Sequence, residues 1–160
     1  MSLELVRVDE RLLHGQVLVA WGARLGIRDY IVVDDRLAES RWEQELYGSA
    51  LAGDAAAEFL TVEAAVRRLP ELDVAGRPAA LLTRDTGTMR RLAERGALGG
   101  RRVTIGGLHD APGRRKVLDY VYLGDEERRD LAEIARHGAR VSARDLPTAP
   151  EVGLEQLLST

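Results

Sequence analysis

Apolar and polar positions along the chain follow two alternating periods, which predict alternating strands and helices. Residues from Leu3 to Val8 have a strand-like pattern that breaks at the polar cluster beginning with Asp9. After Gly15 the apolar side chains recur at helical spacing and stop at Gly26. The first loop therefore joins a strand to a helix, and its polar side chains are expected at the carboxyl edge of a sheet, where ligands bind.

The rest of the chain repeats this alternation. Apolar runs predict buried strands at 30–33, 79–82 and 102–105, and weaker strands at 58–60, 117–123 and 140–146. Helical spacing predicts helices at 40–51, 62–69, 89–95 and 125–136 and a short amphipathic tail at 152–158. Pro70 is expected to end the helix at 62–69. This order predicts an α/β fold, with an open, mainly parallel sheet and helices on both faces. At 160 residues, we expect one domain spanning 1–160.

Composition excludes several classes of protein. The formal net charge of -3 argues against a nucleic-acid binder, which usually carries a strongly basic face. The absence of cysteine excludes disulfides and thiol catalysis, and no apolar run approaches the roughly 18 residues of a membrane span. No Gly-x-Gly-x-x-Gly string, Walker A string or zinc spacing occurs, so we expect neither a cofactor nor a metal. The cytoplasm is the default compartment.

The first loop carries the strongest candidate chemistry. His14 is the candidate nucleophile, because an imidazole, whose unperturbed pKa lies near neutrality, can attack phosphorus and hold the group as a phosphoramidate. Arg11 and the backbone amides around Gly15 can hold the phosphoryl oxygens. Asp9 can orient the His14 ring or hold Arg11, and the sequence leaves both roles open. The structural alternative is a surface ion pair of Asp9 and Arg11 beside an ordinary loop histidine.

The string from Val6 to Val17 resembles the start of the IIB subunits of the mannose/fructose/sorbose family of the bacterial sugar phosphotransferase system. The resemblance continues through 30–35 and 103–109 and covers nearly the whole chain. It implies the α/β fold and a transferase in which His14 takes a phosphoryl group, on Nδ1, from a IIA partner and passes it to a sugar, assisted by Arg11. It also implies a membrane IIC/IID permease as partner, with this chain at the membrane periphery through that partner.

Residues after the predicted strand 79–82 are second-rank candidates for phosphate or partner contacts. Thr83, Arg84 and Thr86 lie where a strand leads into a helix, at the same sheet edge as His14. The structural alternative is a capped helix entrance, with Asp85 or Thr86 as the cap. This expectation rests on position in the sheet and not on a motif.

Gly106 and Gly107 follow the strand 102–105 and match the family pattern. Consecutive glycines let a backbone approach a ligand closely, although they also form ordinary turns. We interpret them as phosphate-facing, and we expect His109 not to be an obligatory second carrier. His137 lies at a helix end, where its charge favours the helix dipole, and we interpret it as structural.

Other polar and aromatic residues have structural interpretations. Asp34 and Asp35 follow a buried strand and suit a turn or a helix cap better than a metal site, although the resemblance adds a little weight to Asp34. Trp42 and Tyr47 are expected to pack against the core, with a subunit interface as the alternative. The oligomeric state stays open.

Two further functions compete with a phosphocarrier. One is a non-catalytic regulatory or binding module that keeps the fold, and the set of Asp9, Arg11, His14 and Gly15 argues against it. The other is a free-standing phosphatase, which needs a group that activates water, and the sequence offers no clear candidate. The identity of the sugar is not encoded in any motif of this chain.

Overall fold

The computed structural model describes residues 3–159, except for the side chain of residue 75. Its main sheet has seven strands in the order β3-β2-β4-β1-β5-β8-β9, all parallel except β9. The strands are β1 Leu3–Val8, β2 Asp29–Val33, β3 Ala56–Leu60, β4 Ala79–Thr83, β5 Arg102–Ile105, β8 Arg140–Ala143 and β9 Val152–Gly153. A separate antiparallel pair consists of β6 Arg115–Leu118 and β7 Val121–Leu123. The predicted mainly parallel sheet is confirmed.

Over residues 3–159, six helices and a short 3-10 helix, Leu37–Glu39, accompany the sheet. The six helices are α1, made of a π-helical segment Gln16–Trp21 and an α-helical turn Gly22–Leu25, then α2 Arg41–Gly48, α3 Val62–Ala75, α4 Thr86–Glu94, α5 Asp125–Arg136 and α6 Leu154–Leu158. The predicted end of α1 is confirmed, because Gly26 adopts the left-handed conformation of a helix C-cap. Asp85 caps α4 by accepting a hydrogen bond from the backbone N–H of Thr88, as one of the two predicted caps.

Helices cover both faces of the sheet, as predicted. Val6 and Val8 of β1 belong to the apolar layer under α3, α4 and α5. Leu5, from the same strand, belongs to the layer under α1. The alternation along β1 therefore places successive side chains in opposite layers.

The connections create a crevice at the carboxyl ends of β1 and β4. These strands are parallel neighbours, but α1 follows β1 on one face while α4 follows β4 on the other. Their loops consequently diverge, which is the arrangement that forms ligand crevices in open α/β sheets. The loop that carries His14 leaves β1 at this point.

Three predicted elements are wrong in extent. Helix α3 continues through Pro70 to Ala75, because Leu72, beyond the proline, is buried on the same apolar side as Leu69. The predicted strand at 117–123 is instead the hairpin of β6 and β7, and β8 ends at Ala143 rather than at residue 146.

The expectation that Trp42 packs against the core is also wrong. Its side chain is 69% exposed, and Leu46, one helical turn further along α2, is 63% exposed. Tyr47 is half-buried and packs against the layer under α1. Among the described residues, no helix has both the length and the apolar character needed to cross a membrane.

Candidate functional site

His14 lies in the loop between β1 and α1, with 17% of its side chain exposed. Its Nδ1 is 2.8 Å from the carbonyl oxygen of Leu12, and its Nε2 is buried without a hydrogen-bond partner, 3.9 Å from Oδ2 of Asp9. Leu12 has a φ of 53°, the only left-handed φ of a non-glycine residue within 3–159. Such conformations are costly and cluster at functional sites. In the neutral tautomer that donates from Nδ1, the lone pair lies on Nε2.

Asp9 is fully buried and is the centre of the site. Its carboxylate accepts hydrogen bonds from Arg11 Nε at 3.0 Å, Arg11 Nη2 at 2.9 Å and the backbone N–H groups of Arg11 and Gly107 at 3.1 Å each. Nη2 of Arg7 lies 3.4 Å away. Burial by itself raises the pKa of Asp9, but the hydrogen bonds from Arg11 and Gly107 and the charge of Arg7 outweigh it and lower the pKa. Of the two roles left open by the sequence, this geometry corresponds to holding Arg11.

Part of the Arg11 guanidinium is available to bind a ligand. Nε and Nη2 bind Asp9, and Nη2 also donates to Oε1 of Gln16 at 2.7 Å. Within the described part of the chain, Nη1 has no hydrogen-bond partner, and 36% of the side chain is exposed. The hydrogen bonds to Asp9 raise the pKa of Arg11, so the group stays charged. A cation with two free N–H donors can bind phosphoryl oxygens.

A second arginine, Arg7, completes the site and was not predicted. Its fully buried guanidinium donates to the carbonyl oxygens of Arg144 at 2.8 Å and Asp145 at 3.1 Å, and it lies 5.0 Å from the centre of the Trp21 ring. Desolvation lowers the pKa of Arg7, although the nearby charge of Asp9 acts in the opposite direction. The available sequence signal was a charged residue inside an otherwise buried strand, since buried charges require partners.

Gly106 and Gly107 lie against the site, but their close contacts are to side chains of this chain. A Cβ at Gly106 would be 2.5 Å from Oδ2 of Asp9, and the backbone N–H of Gly106 donates to the carbonyl of Val8. The N–H of Gly107 donates to Asp9. Both N–H donors are therefore used within the protein, and the interpretation of these glycines as phosphate-facing stays a prediction. Their small size makes room for Asp9 and Arg7.

The hydroxyls of Thr83 and Thr86 both have hydrogen-bond partners within the protein. The hydroxyl of Thr83, a fully buried residue, donates to the carbonyl of Asp85. The buried hydroxyl of Thr86 donates to Asp130 at 2.7 Å. Both hydroxyl protons are thus used within the protein, and contact of these residues with a phosphate stays a prediction.

Arg84 does line the crevice. It borders a groove of about 480 Å³ together with Glu10, Tyr47, Asp85 and His109, and its Nη2 is 3.3 Å from the hydroxyl of Tyr47. Gly15 is exposed at the start of α1, with no atom within 4 Å of where its Cβ would lie. Contact of Arg84 and Gly15 with a phosphoryl group or a partner stays a prediction.

The remaining candidates have structural partners. Asp34 accepts hydrogen bonds from the N–H groups of Arg36 and Leu37, as expected for a turn residue. The ring of His109 pairs with Glu10 at 3.0 Å, and His137 is the C-cap of α5. Over residues 3–159, no group of three histidine or carboxylate side chains is arranged to hold a metal.

Comparison with known proteins gives consistent matches over the whole fold. The family model described as "PTS system sorbose subfamily IIB component" matches residues 3–160. The chain is 32% identical to the N-acetylgalactosamine-specific phosphotransferase enzyme IIB component 1 of Escherichia coli, over 91% of this chain and 92% of the relative. It is 24% identical to the PTS system fructose-specific EIIB component of Bacillus subtilis, over 99% and 96%.

Solved structures have the same architecture. The crystal structure of the IIBSor domain of the sorbose permease from Klebsiella pneumoniae superimposes with a TM-score of 0.88 and covers 100% of this chain and 98% of that domain. At 21% identity, this match concerns the fold alone.

Proposed function

Because this chain belongs to the sorbose-subfamily IIB components of the sugar phosphotransferase system, we propose that it is a phosphocarrier that uses His14 as its acceptor. Phosphotransfer is the general role of this family. The observation that carries the proposal is the placement of His14 Nε2 and Arg11 Nη2 around one oxygen of Asp9, at 3.9 and 2.9 Å. A nucleophile and a fixed cation at a crevice are what phosphoryl transfer requires.

The proposed reaction has two transfers. A phosphohistidine on a IIA protein enters the crevice, its N–P bond breaks, and a new N–P bond forms to His14. The phosphoryl group then moves to a hydroxyl oxygen of a sugar bound in the IIC/IID permease, and the hydroxyl proton is released. Arg11 Nη1, with the exposed amide end of α1 at Gly15, binds the phosphoryl oxygens, while Arg84 contacts the donor protein or the phosphate from across the groove.

The attacking nitrogen determines how the ring must move. The family resemblance implies Nδ1, and this atom is hydrogen-bonded to the carbonyl of Leu12 in the structure. Its lone pair becomes available only after the ring rotates away from Leu12 and the proton moves to Nε2. The uncharged Nε2–H can then approach Asp9, which lies 3.9 Å from Nε2 before this rotation.

Asp9 is poorly suited to activate water, which supports a carrier over a phosphatase. Its two oxygens accept four hydrogen bonds from Arg11 and Gly107 and lie beside Arg7, and its pKa is lowered. A carboxylate with a low pKa, whose oxygens already accept several hydrogen bonds, is a weak general base. The phosphoryl group on His14 is thus protected from hydrolysis by the same contacts that hold Arg11.

Substitution of two of the three histidines tests the proposal. We expect the His14→Gln protein to fold and to accept no phosphate from a phosphorylated IIA protein. The matched control is His137→Gln, at the C-cap of α5, which is expected to be labelled like the wild type. Acid-labile phosphate on His14→Gln, or an unlabelled wild type, would contradict the proposal.

A further inference from the structure

We propose that Gln16 and Asp145 are positioning residues that fix the Arg11 guanidinium for phosphoryl transfer. The inference rests on the proposed function of the site and extends it to the loop after β8. Gln16 accepts a hydrogen bond from Arg11 Nη2 at 2.7 Å and donates one from Nε2 to Oδ1 of Asp145 at 3.0 Å. Because arginine only donates and a carboxylate only accepts, one orientation of the Gln16 amide satisfies both neighbours.

Asp145 is itself held by buried groups. Its backbone carbonyl accepts hydrogen bonds from Nη2 of Arg7 at 3.1 Å and from Nε1 of Trp21 at 3.0 Å. Arg7 also lies 3.4 Å from Asp9. The contacts therefore form a closed circuit through two arginines, two aspartates and one glutamine: Asp9, Arg11, Gln16, Asp145 and Arg7.

The π-helical segment of α1 directs both Gln16 and Trp21 toward Asp145. Gln16 and Trp21, its first and last residues, both contact Asp145. In a π-helix, residues five apart lie one turn apart and share a side. At the 3.6 residues per turn of an α-helix they would be separated by about 140° and would not both reach one loop.

The circuit determines which donors of Arg11 remain for the substrate. Asp9 and Gln16 occupy the Nε and Nη2 donors, and Nη1 is left for phosphoryl oxygens. Without Gln16, Nη2 of Arg11 would donate only to Asp9. The guanidinium would then be held along one edge only. Misplacing a group that stabilises transferring charge by about 1 Å can reduce a rate about 100-fold. A neutral amide is required at Gln16, because a carboxylate would compete with phosphate for Arg11 and would repel Asp145.

A double-mutant cycle tests whether the two residues act through one chain of contacts. We expect Gln16→Ala and Asp145→Ala each to reduce the rate of phosphate transfer from a phosphorylated IIA protein to His14 by about tenfold. The reduction should lie in kcat, with KM for the donor unchanged. The double variant is expected to lose about tenfold as well, because the second change removes a contact that the first has already disabled.

Conservative variants separate positioning from general structural support. Asp145→Asn keeps an acceptor oxygen for Gln16 and is expected to recover most of the lost rate. Gln16→Glu is expected to be slower than Gln16→Ala, whereas the matched control Gln156→Glu, at an exposed position in α6, should transfer at the wild-type rate. The ³¹P chemical shift of the phosphohistidine should change in Gln16→Ala and not in Asp145→Asn.

The outcomes distinguish this inference from the proposed function. Labelling of wild-type His14, with single variants that transfer at the wild-type rate, would overturn the positioning role and leave the carrier function intact. The positioning role would also be overturned if the loss of transfer rate in the double variant equalled the product of the two single losses. An unlabelled wild type would refute the carrier function itself.

Discussion

Substitution of Gly106 by alanine tests how the packing around Asp9 and Arg7 affects the free energy of unfolding and the rate of phosphate transfer. The new Cβ would lie 2.5 Å from Oδ2 of Asp9 and equally close to Cζ of Arg7, and both side chains are fully buried. An ordinary contact of 3.4 Å would require these groups to move by about 0.9 Å. Neither residue is the flexible end of an exposed side chain, so the movement must distort the Asp9 and Arg7 contacts.

The expected loss of stability follows from two contributions. Overpacking of a dense interior costs about 1–3 kcal/mol. Weakening one hydrogen bond to a charged group, such as the 3.1 Å bond from Gly107 to Asp9, costs a further 1.5–3 kcal/mol or so. We expect Gly106→Ala to lose about 3–5 kcal/mol, a large share of the roughly 5–15 kcal/mol that stabilises a domain.

Urea unfolding of a graded series provides the measurement. At Gly107 a Cβ would be 3.1 Å from Arg11 Nη2, so Gly107→Ala should cost less, about 1 kcal/mol. Gly99→Ala is the matched control, because nothing lies within 4 Å of its Cβ position, and its effect should stay within about 0.5 kcal/mol. If Gly106→Ala matched Gly99→Ala in stability and in transfer rate, the tight packing of Asp9 and Arg7 against Gly106 would be refuted.

Three other changes have defined outcomes. Arg11→Lys keeps the charge but loses the two-point contact with Asp9, so transfer should fall by about tenfold or more, and an undiminished rate would remove Arg11 from the mechanism. Asp9→Asn should cost about 3–5 kcal/mol at neutral pH, measured by urea unfolding, because Arg7 is left buried without its carboxylate. Because folding lowers the pKa of Asp9 below the ordinary value of an aspartate, about 3.9, its contribution is complete above about pH 4 and is lost as the pH falls further. The stability difference between wild type and Asp9→Asn should therefore shrink below pH 4, and a constant difference would contradict the lowered pKa. Thr61→Ala removes the oxygen that caps Ala64 N–H in α3 and should cost about 1 kcal/mol in the same assay, whereas Thr148→Ala, in the loop after β8, should not.

Local patterns of apolar and polar residues were sufficient to predict most strands of the sheet and the position of the first loop. The apolar runs at 30–33 and 79–82 predicted β2 and β4, because buried parallel strands are apolar on both faces. The break at Asp9 located the end of β1, and the crevice there follows from the alternation of strands and helices.

The partners of the site residues could not be predicted because they are distant in sequence. Arg7 binds the carbonyl of Asp145, 138 residues away, and no local period relates them. The hydroxyl of Thr86 binds Asp130, 44 residues further on, and no feature of the sequence links these two residues. Thr86 was therefore predicted to contact a phosphate or a partner. Pro70 was expected to end α3, but burial on the far side of the proline outweighed a cost of about 3 kcal/mol.

The position of the phosphoryl group on the chain tests the central claim most directly. In the protein labelled with ¹⁵N-histidine, after phosphate transfer from a IIA protein, a one-bond ¹⁵N–³¹P coupling shows a phosphohistidine. Loss of this signal in His14→Gln identifies the residue, and two-dimensional ¹H–¹⁵N correlation of the ring protons identifies the nitrogen. The account predicts a single phosphoramidate on His14, at Nδ1. A phosphoryl group on His109, on His137 or on any carboxylate would contradict it.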